Sequence, residues 1–127
     1  MCIRDSITGA TKGIGRATAV TFANAGWDLI LLARDLEMLE MLRDELSETG
    51  STINLVKCNL SNPNEIDKSI KKSIKKYGCP AVLINNAGCA FNGNLVEMTL
   101  TKWQEIIQIN LTTVSYTHLT LPTICSV

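Results

Sequence analysis

Three glycines, Gly9, Gly13 and Gly15, lie inside Ile7-Thr-Gly-Ala-Thr-Lys-Gly-Ile-Gly-Arg16 with the spacing of a backbone cradle for an anion. A tight strand-to-helix turn needs φ values that glycine adopts cheaply. A phosphate needs bare backbone N–H groups at a helix N-terminus, where the dipole favours negative charge. The pattern is neither Gly-x-Gly-x-x-Gly nor a Walker loop, since no Gly-Lys-Ser/Thr occurs. Lys12 stands in the turn itself, Arg34 follows an apolar run, and Asn85-Asn-Ala-Gly88 follows another.

These groups need elements to hold them. Ser6-Ile7-Thr8 reads as the end of a first strand. A helix runs from Arg16 to Ala25 with Ala19, Phe22 and Ala23 on one face, closed by Gly26. Trp27 to Ala33 carries Leu-Ile-Leu-Leu-Ala and reads as a strand buried on both faces. Leu36, Leu39, Leu42 and Leu46 mark a second helix that stops near Gly50. Thr52 to Cys58 alternates like a third strand. Asn59-Leu-Ser-Asn-Pro63 is turn chemistry, with Ser61 or Asn62 as the cap of a third helix bearing Ile66, Ile70 and Ile74. The lysines on its other face read as a solvated surface. Ala81 to Ile84 reads as a fourth buried strand. Thr101-Lys-Trp-Gln104 reads as a capping box for a helix with Trp103, Ile106 or Ile107, and Leu111. Strand and helix alternate four times, which predicts an α/β fold: a doubly wound parallel sheet in three layers, ending after about four strands.

In such folds ligands bind beyond the carboxyl ends of the strands. Residues 9–15, Ala33-Arg34, Asn59-Leu60 and residues 85–88 all fall at such ends. An acidic residue after the second strand would bond a ribose 2′-OH and repel a 2′-phosphate. Here Ala33 is uncharged and Arg34 is a fixed cation, with Lys12 nearby. Two cations and no carboxylate point to NADP(H) rather than NAD(H). The counter-candidates are Asp28, expected at the far end of that strand, and Asp35, expected to face solvent.

Composition excludes other classes. The 127 residues carry zero formal net charge, so nothing electrostatic argues for nucleic acid or an anionic membrane. No apolar run approaches the ~20 residues of a membrane span, and no signal segment is visible. The five cysteines form no Cys-x-x-Cys pair and suggest no metal site; free thiols in a reduced cytoplasm are expected.

Both ends look foreign. Met1-Cys-Ile-Arg-Asp5 can be encoded by ATG TGT ATA AGA GAC, whose reverse complement translates as Val-Ser-Tyr-Thr-His, the sequence from Val114 to His118. That word resembles a transposase end used in sequencing libraries, and Leu119-Thr-Leu-Pro-Thr123 continues the adaptor. Residues 1–6 and 114–127 are therefore expected to be translated adaptor around a fold segment at 7–113, and His118 and Tyr116 receive no functional weight.

Thr8-Gly-Ala-Thr-Lys-Gly-Ile-Gly15, Asn85-Asn-Ala-Gly88 and Asn110-Leu111 after a Trp-bearing helix resemble the classical short-chain dehydrogenase/reductases. The resemblance covers about residues 7–113 and implies a Rossmann-like fold. It implies that Gly9, Thr11, Lys12, Gly13 and Ile14 hold the pyrophosphate and the adenosine side, with Gly15 opening the helix. It puts Arg34 at the 2′-phosphate, Asn59 and Leu60 beside adenine, and Asn86, Ala87 and Gly88 at the nicotinamide ribose. Family members commonly have Asp where this chain has Asn59. Asn110 resembles the asparagine that supports a proton relay through water.

The family's remaining catalytic groups are a serine and a Tyr-x-x-x-Lys, expected downstream of Asn110. Tyr116 is followed four positions later by Thr120, so the pattern is not met. The resemblance thus implies a fragment of an oxidoreductase whose parent is a homo-oligomer. The substrate it implies is a small carbonyl or alcohol, an acyl-carrier-linked one among the candidates. A non-catalytic nucleotide sensor on the same fold is the alternative.

Overall fold

The computed structural model describes residues 4–117. The remainder of the two foreign-looking ends, His118 included, lies outside the described residues. Four strands, β1 (Arg4–Thr8), β2 (Asp28–Ala33), β3 (Ile53–Lys57) and β4 (Val82–Ile84), form one parallel sheet in the order β3-β2-β1-β4. Helices α1 (Gly13–Asn24), α2 (Leu36–Glu45), α3 (Pro63–Tyr77) and α4 (Leu100–Ile107) connect and flank them.

Two apolar clusters make the three layers. Ile7, Leu29 and Leu31 face Ala19, Ala23, Leu39, Leu42 and Leu46 on one side of the sheet. The small Ala19 and Ala23 let α1 sit close against β2. On the other side Cys58, Leu60, Ile66, Ile70 and Ile109 pack together. The continuous apolar run of β2 is buried at every position, as a strand covered on both faces requires. Asn62 caps α3, its side-chain oxygen accepting from the Asn64 N–H, with Pro63 in the first turn. Gly50 closes the turn after α2 in the left-handed region, φ 77°.

Five expectations change. α1 begins at Gly13 rather than Arg16, because the extended Lys12 is its N-cap and both Gly13 and Gly15 fall inside the first turn. β1 begins at Arg4, two residues earlier than Ser6, with Arg4 opposite Asp28 and Asp5 opposite Leu29. Parallel pairing uses main-chain groups, so side chains ill suited to a core strand can still join it. β4 is half-buried rather than buried, because nothing among the described residues pairs with its outer edge. The cap of α4 is Thr99, which accepts from the Lys102 N–H at 3.2 Å, not Thr101. Cys58 and Cys89 are free thiols, but Cys79 is disulfide-bonded. Among the described residues no helix is long and apolar enough to cross a membrane.

Candidate functional site

The first βα turn and the loop after β4 are locked together by one hydroxyl. Thr8 Oγ1 accepts from the Asn86 and Ala87 N–H groups, each at 3.1 Å. Asn86 Nδ2 donates to the Gly9 carbonyl at 3.2 Å. The two backbones approach so closely that a Cβ on Gly15 would overlap the Gly9 carbonyl oxygen and Asn86 Nδ2. Gly9 (φ 65°) has its own ideal Cβ position 2.9 Å from the Ala87 Cα. We expect Gly15→Ala to destabilise the chain by about 2 kcal/mol, since a backbone carbonyl must give way; urea unfolding checks this.

Lys12 is the N-cap of α1, in extended backbone and with no side-chain cap bond. The first-turn amides, from Gly13 to Gly15, therefore have no intrahelical partner and no capping oxygen. Gly13 adopts φ 53°, and nothing lies within 4 Å of its ideal Cβ. Ile14 beside it is 79% exposed, an apolar side chain held out in solvent at a helix start.

These features border a cleft of about 1060 Å³ along the carboxyl edge of the sheet. Of the residues singled out in the sequence, Gly9, Thr11 and Lys12 line it from the glycine turn, and Arg34 and Leu60 from the ends of β2 and β3. Asn86, Ala87 and Gly88 line it from the loop after β4. Asp28 is at the far end of β2, where it accepts from the Thr52 N–H at 2.7 Å. Asp35 does not simply face solvent: with Glu37 it lines the same cleft, while its Oδ1 caps α2 by accepting from the Met38 N–H at 3.2 Å.

Gly13, Ile14, Gly15, Asn59 and Asn110 are not among the lining residues. Asn59 turns inward on its own loop, its Oδ1 accepting from the Ser61 N–H (3.1 Å) and hydroxyl (2.7 Å). Asn110 grips the backbone of Cys89: Oδ1 accepts from the Cys89 N–H at 3.0 Å and Nδ2 donates to its carbonyl at 2.7 Å. Its Oδ1 stands 3.0 Å from where a Gly88 Cβ would be. This grip depends on a π-helical turn, Gln108–Thr112, that follows α4. Thr113 Oγ1 lies 2.8 Å from both the Leu60 and Gln108 carbonyl oxygens and ties that turn to the end of β3.

Sequence reasoning passed over other lining residues. Lys57 sits opposite Ala33 in the sheet register, and the rule of strand ends would have found it. Cys58 also lines the cleft; burial pushes its thiol up, keeping it neutral. Lys102, Glu105 and Ile109 come from the far side of a long connection, and no local signal places them here.

The family model for short chain dehydrogenases matches residues 6–125. A 3-oxoacyl-[acyl-carrier-protein] reductase of Synechocystis is 35% identical over 107 residues, covering 84% of this chain and 43% of the relative. A sulfoacetaldehyde reductase of Chromohalobacter salexigens is 36% identical over 123 residues, covering 95% and 48%. The chain thus spans about half the length of the curated relatives it matches. Among solved structures, a short-chain dehydrogenase from Sphingobium yanoikuyae in complex with NADPH superposes with a TM-score of 0.87 at 30% identity, covering 94% of this chain and 47% of that one. An alcohol dehydrogenase from Thermococcus sibiricus complexed with 5-hydroxy-NADP gives 0.89 at 30% identity, covering 95% and 52%. A match that takes in both the glycine turn and the asparagine gripping the loop after β4 leaves one placement: this chain belongs to the short-chain dehydrogenase family.

Proposed function

We propose that this chain is the nucleotide-binding half of an NADP(H)-dependent oxidoreductase acting on a carbonyl or alcohol. The observation that carries the reading is a cleft lined by Lys12, Arg34 and the loop 86–88, bordered by the uncapped first turn of α1. The residues fit the group: its anionic centre meets free N–H donors, and its 2′-phosphate meets cations where Ala33 leaves no carboxylate. The cleft also exceeds the roughly 300–1,000 Å³ of ordinary small-molecule pockets, as an extended dinucleotide requires. The relatives solved with NADPH and with 5-hydroxy-NADP support the choice.

When bound, NADP(H) supplies the hydride. This chain's part is to bind and orient it. Gly13 to Gly15 and Lys12 hold the pyrophosphate; Arg34 holds the 2′-phosphate; Leu60 and Ile109 enclose adenine. Asn86, Ala87 and Gly88 set the position of the nicotinamide ribose, and Asn110 fixes that loop through Cys89. Asn110 supports the proton relay as a positioning residue, because both ends of its carboxamide are engaged. The proton-transferring Ser and Tyr-x-x-x-Lys belong to the parent beyond residues 7–113, so the chain alone does not transfer hydride. The 3-oxoacyl carrier-protein and sulfoacetaldehyde reductases among the relatives support a small carbonyl as the parent's substrate class.

Titration of the chain with NADP+ and NAD+ by calorimetry tests the reading. Tighter NADP+ binding is expected, and equal affinity would refute the Lys12/Arg34 argument. Steady turnover of NADPH by this chain with simple ketones would refute the assignment of catalysis to the missing half.

We further read residues 1–6 and 114–127 as adaptor. The support is chemical: Asp5 brings a fully buried carboxylate into the sheet. Source DNA with unrelated codons at the two ends would refute it. The parent assembles through α4, whose Leu100, Trp103 and Ile107, with Leu111 beyond, form an exposed apolar stripe. Trp103→Glu is expected to shift the restored full-length protein to smaller species in analytical ultracentrifugation; an unchanged profile refutes that interface.

A further inference from the structure

Resting on the NADP(H) reading, one feature of the cleft concerns how a phosphate is tolerated there. Lys102 and Glu105, both from α4, line the same cleft as Arg34, Asp35, Glu37 and Lys57 and are joined by an ion pair of 2.8 Å. The pair is poorly placed for helix stability. Lys102 sits in the first turn, where the dipole disfavours a cation, and the order Lys then Glu is the weaker orientation. Both side chains are about one-third exposed (34% and 33%), so the bond between them adds little to the fold.

The electrostatic setting of the pair ties it to the cleft instead. Glu105 stabilises charged Lys102 and Lys102 holds the Glu105 carboxylate ionised, while the Arg34 charge acts on both. Asp35 and Glu37 already bring two carboxylates to this cleft; without Lys102 a third, Glu105, would lie unpaired in the field of the cation assigned to the 2′-phosphate. We propose that Lys102 is a specificity-determining residue: it neutralises Glu105 beside Arg34, so that the adenosine end of the cleft accepts a 2′-phosphate.

The test uses the full 127-residue chain and two probes, adenosine 2′,5′-bisphosphate and adenosine 5′-monophosphate, with affinities compared on the same sample. Their ratio is insensitive to the fraction of folded protein. Lys102→Met is expected to lower the preference for the bisphosphate about fivefold, as one uncompensated charge near a partly solvated phosphate produces. The monophosphate affinity stays within about twofold. Lys102→Arg retains the preference, and the double variant Lys102→Met/Glu105→Gln recovers it. An unchanged ratio in Lys102→Met, with the ratio collapsing in Arg34→Asp, overturns this inference and leaves the NADP(H) reading standing. A fall in Lys102→Met that the double variant does not recover overturns the neutralising role. Failure of the unaltered chain to bind either probe overturns both.

Discussion

Arg34→Asp is expected to change the NADP+/NAD+ affinity ratio of this chain by about 100-fold, from favouring NADP+ to favouring NAD+. The substitution reverses a charge at the end of β2, where the strand delivers Arg34 into the cleft. Arginine offers a planar fork to phosphate oxygens and is always charged. Aspartate both repels a 2′-phosphate and accepts from a ribose 2′-OH. A factor of 100 is about 2.7 kcal/mol, within reach of one lost charge-assisted contact and one new repulsion. The neighbouring Asp35 also lines the cleft, but one of its oxygens is engaged in capping α2, so the reversal at position 34 adds a second carboxylate where a cation stood. The side chain is exposed, so folding should be unaffected, and the preference should shrink as salt rises. Parallel calorimetric titrations at low and high salt check both points. An unchanged ratio would move the 2′-phosphate away from Arg34.

The strands and helices were legible because each carries a pattern that only one environment satisfies. Leu29 to Ala33 has no polar position to offer solvent, and Ile66, Ile70 and Ile74 can share one face only as a helix. The glycine turn was legible because close approach leaves no alternative at Gly15. What stayed hidden depends on distant pairing. The grip of Asn110 on Cys89 spans 21 residues and needs a π-helical turn that no local preference announces. Thr8 looks like any strand-end threonine until the loop after β4 folds onto it. Lys102 and Glu105 read as ordinary surface charges, since their place on the cleft follows from the path between Gly88 and Leu100. Thr101 matched a capping box by spacing, yet Thr99 won because α4 starts two residues earlier.

Asp5→Val is expected to stabilise the chain by about 3 kcal/mol at pH 7 and to raise its melting temperature by roughly 10 °C or more. Asp5 shares the face of β1 that carries Ile7, and its register partner Leu29 belongs to the same cluster. Its side chain is fully buried, and its carboxylate makes no well-formed hydrogen bond; the Val82 backbone N–H beside it offsets the burial only in part. Such a group must either stay charged without solvent or take up a proton. Burial raises its pKa above the ordinary 3.8, so the folded chain holds the proton more tightly than the unfolded chain. Stability linked to Asp5 is therefore fully present below 3.8 and is lost as pH rises through the raised folded value. The gap between Asp5→Val and the unaltered chain should be smallest at acid pH and widen toward neutrality, whereas a pure packing gain would be flat. Asp5→Asn, which removes the charge but keeps a buried, poorly bonded amide, should recover only part of the gain at pH 7. Thermal melts of the three chains at several pH values decide it, and a pH-independent gap would remove the buried charge as the cause. An apolar side chain suits a strand paired on both edges in a sheet covered on both faces, and Asp5 is a measurable departure from that rule.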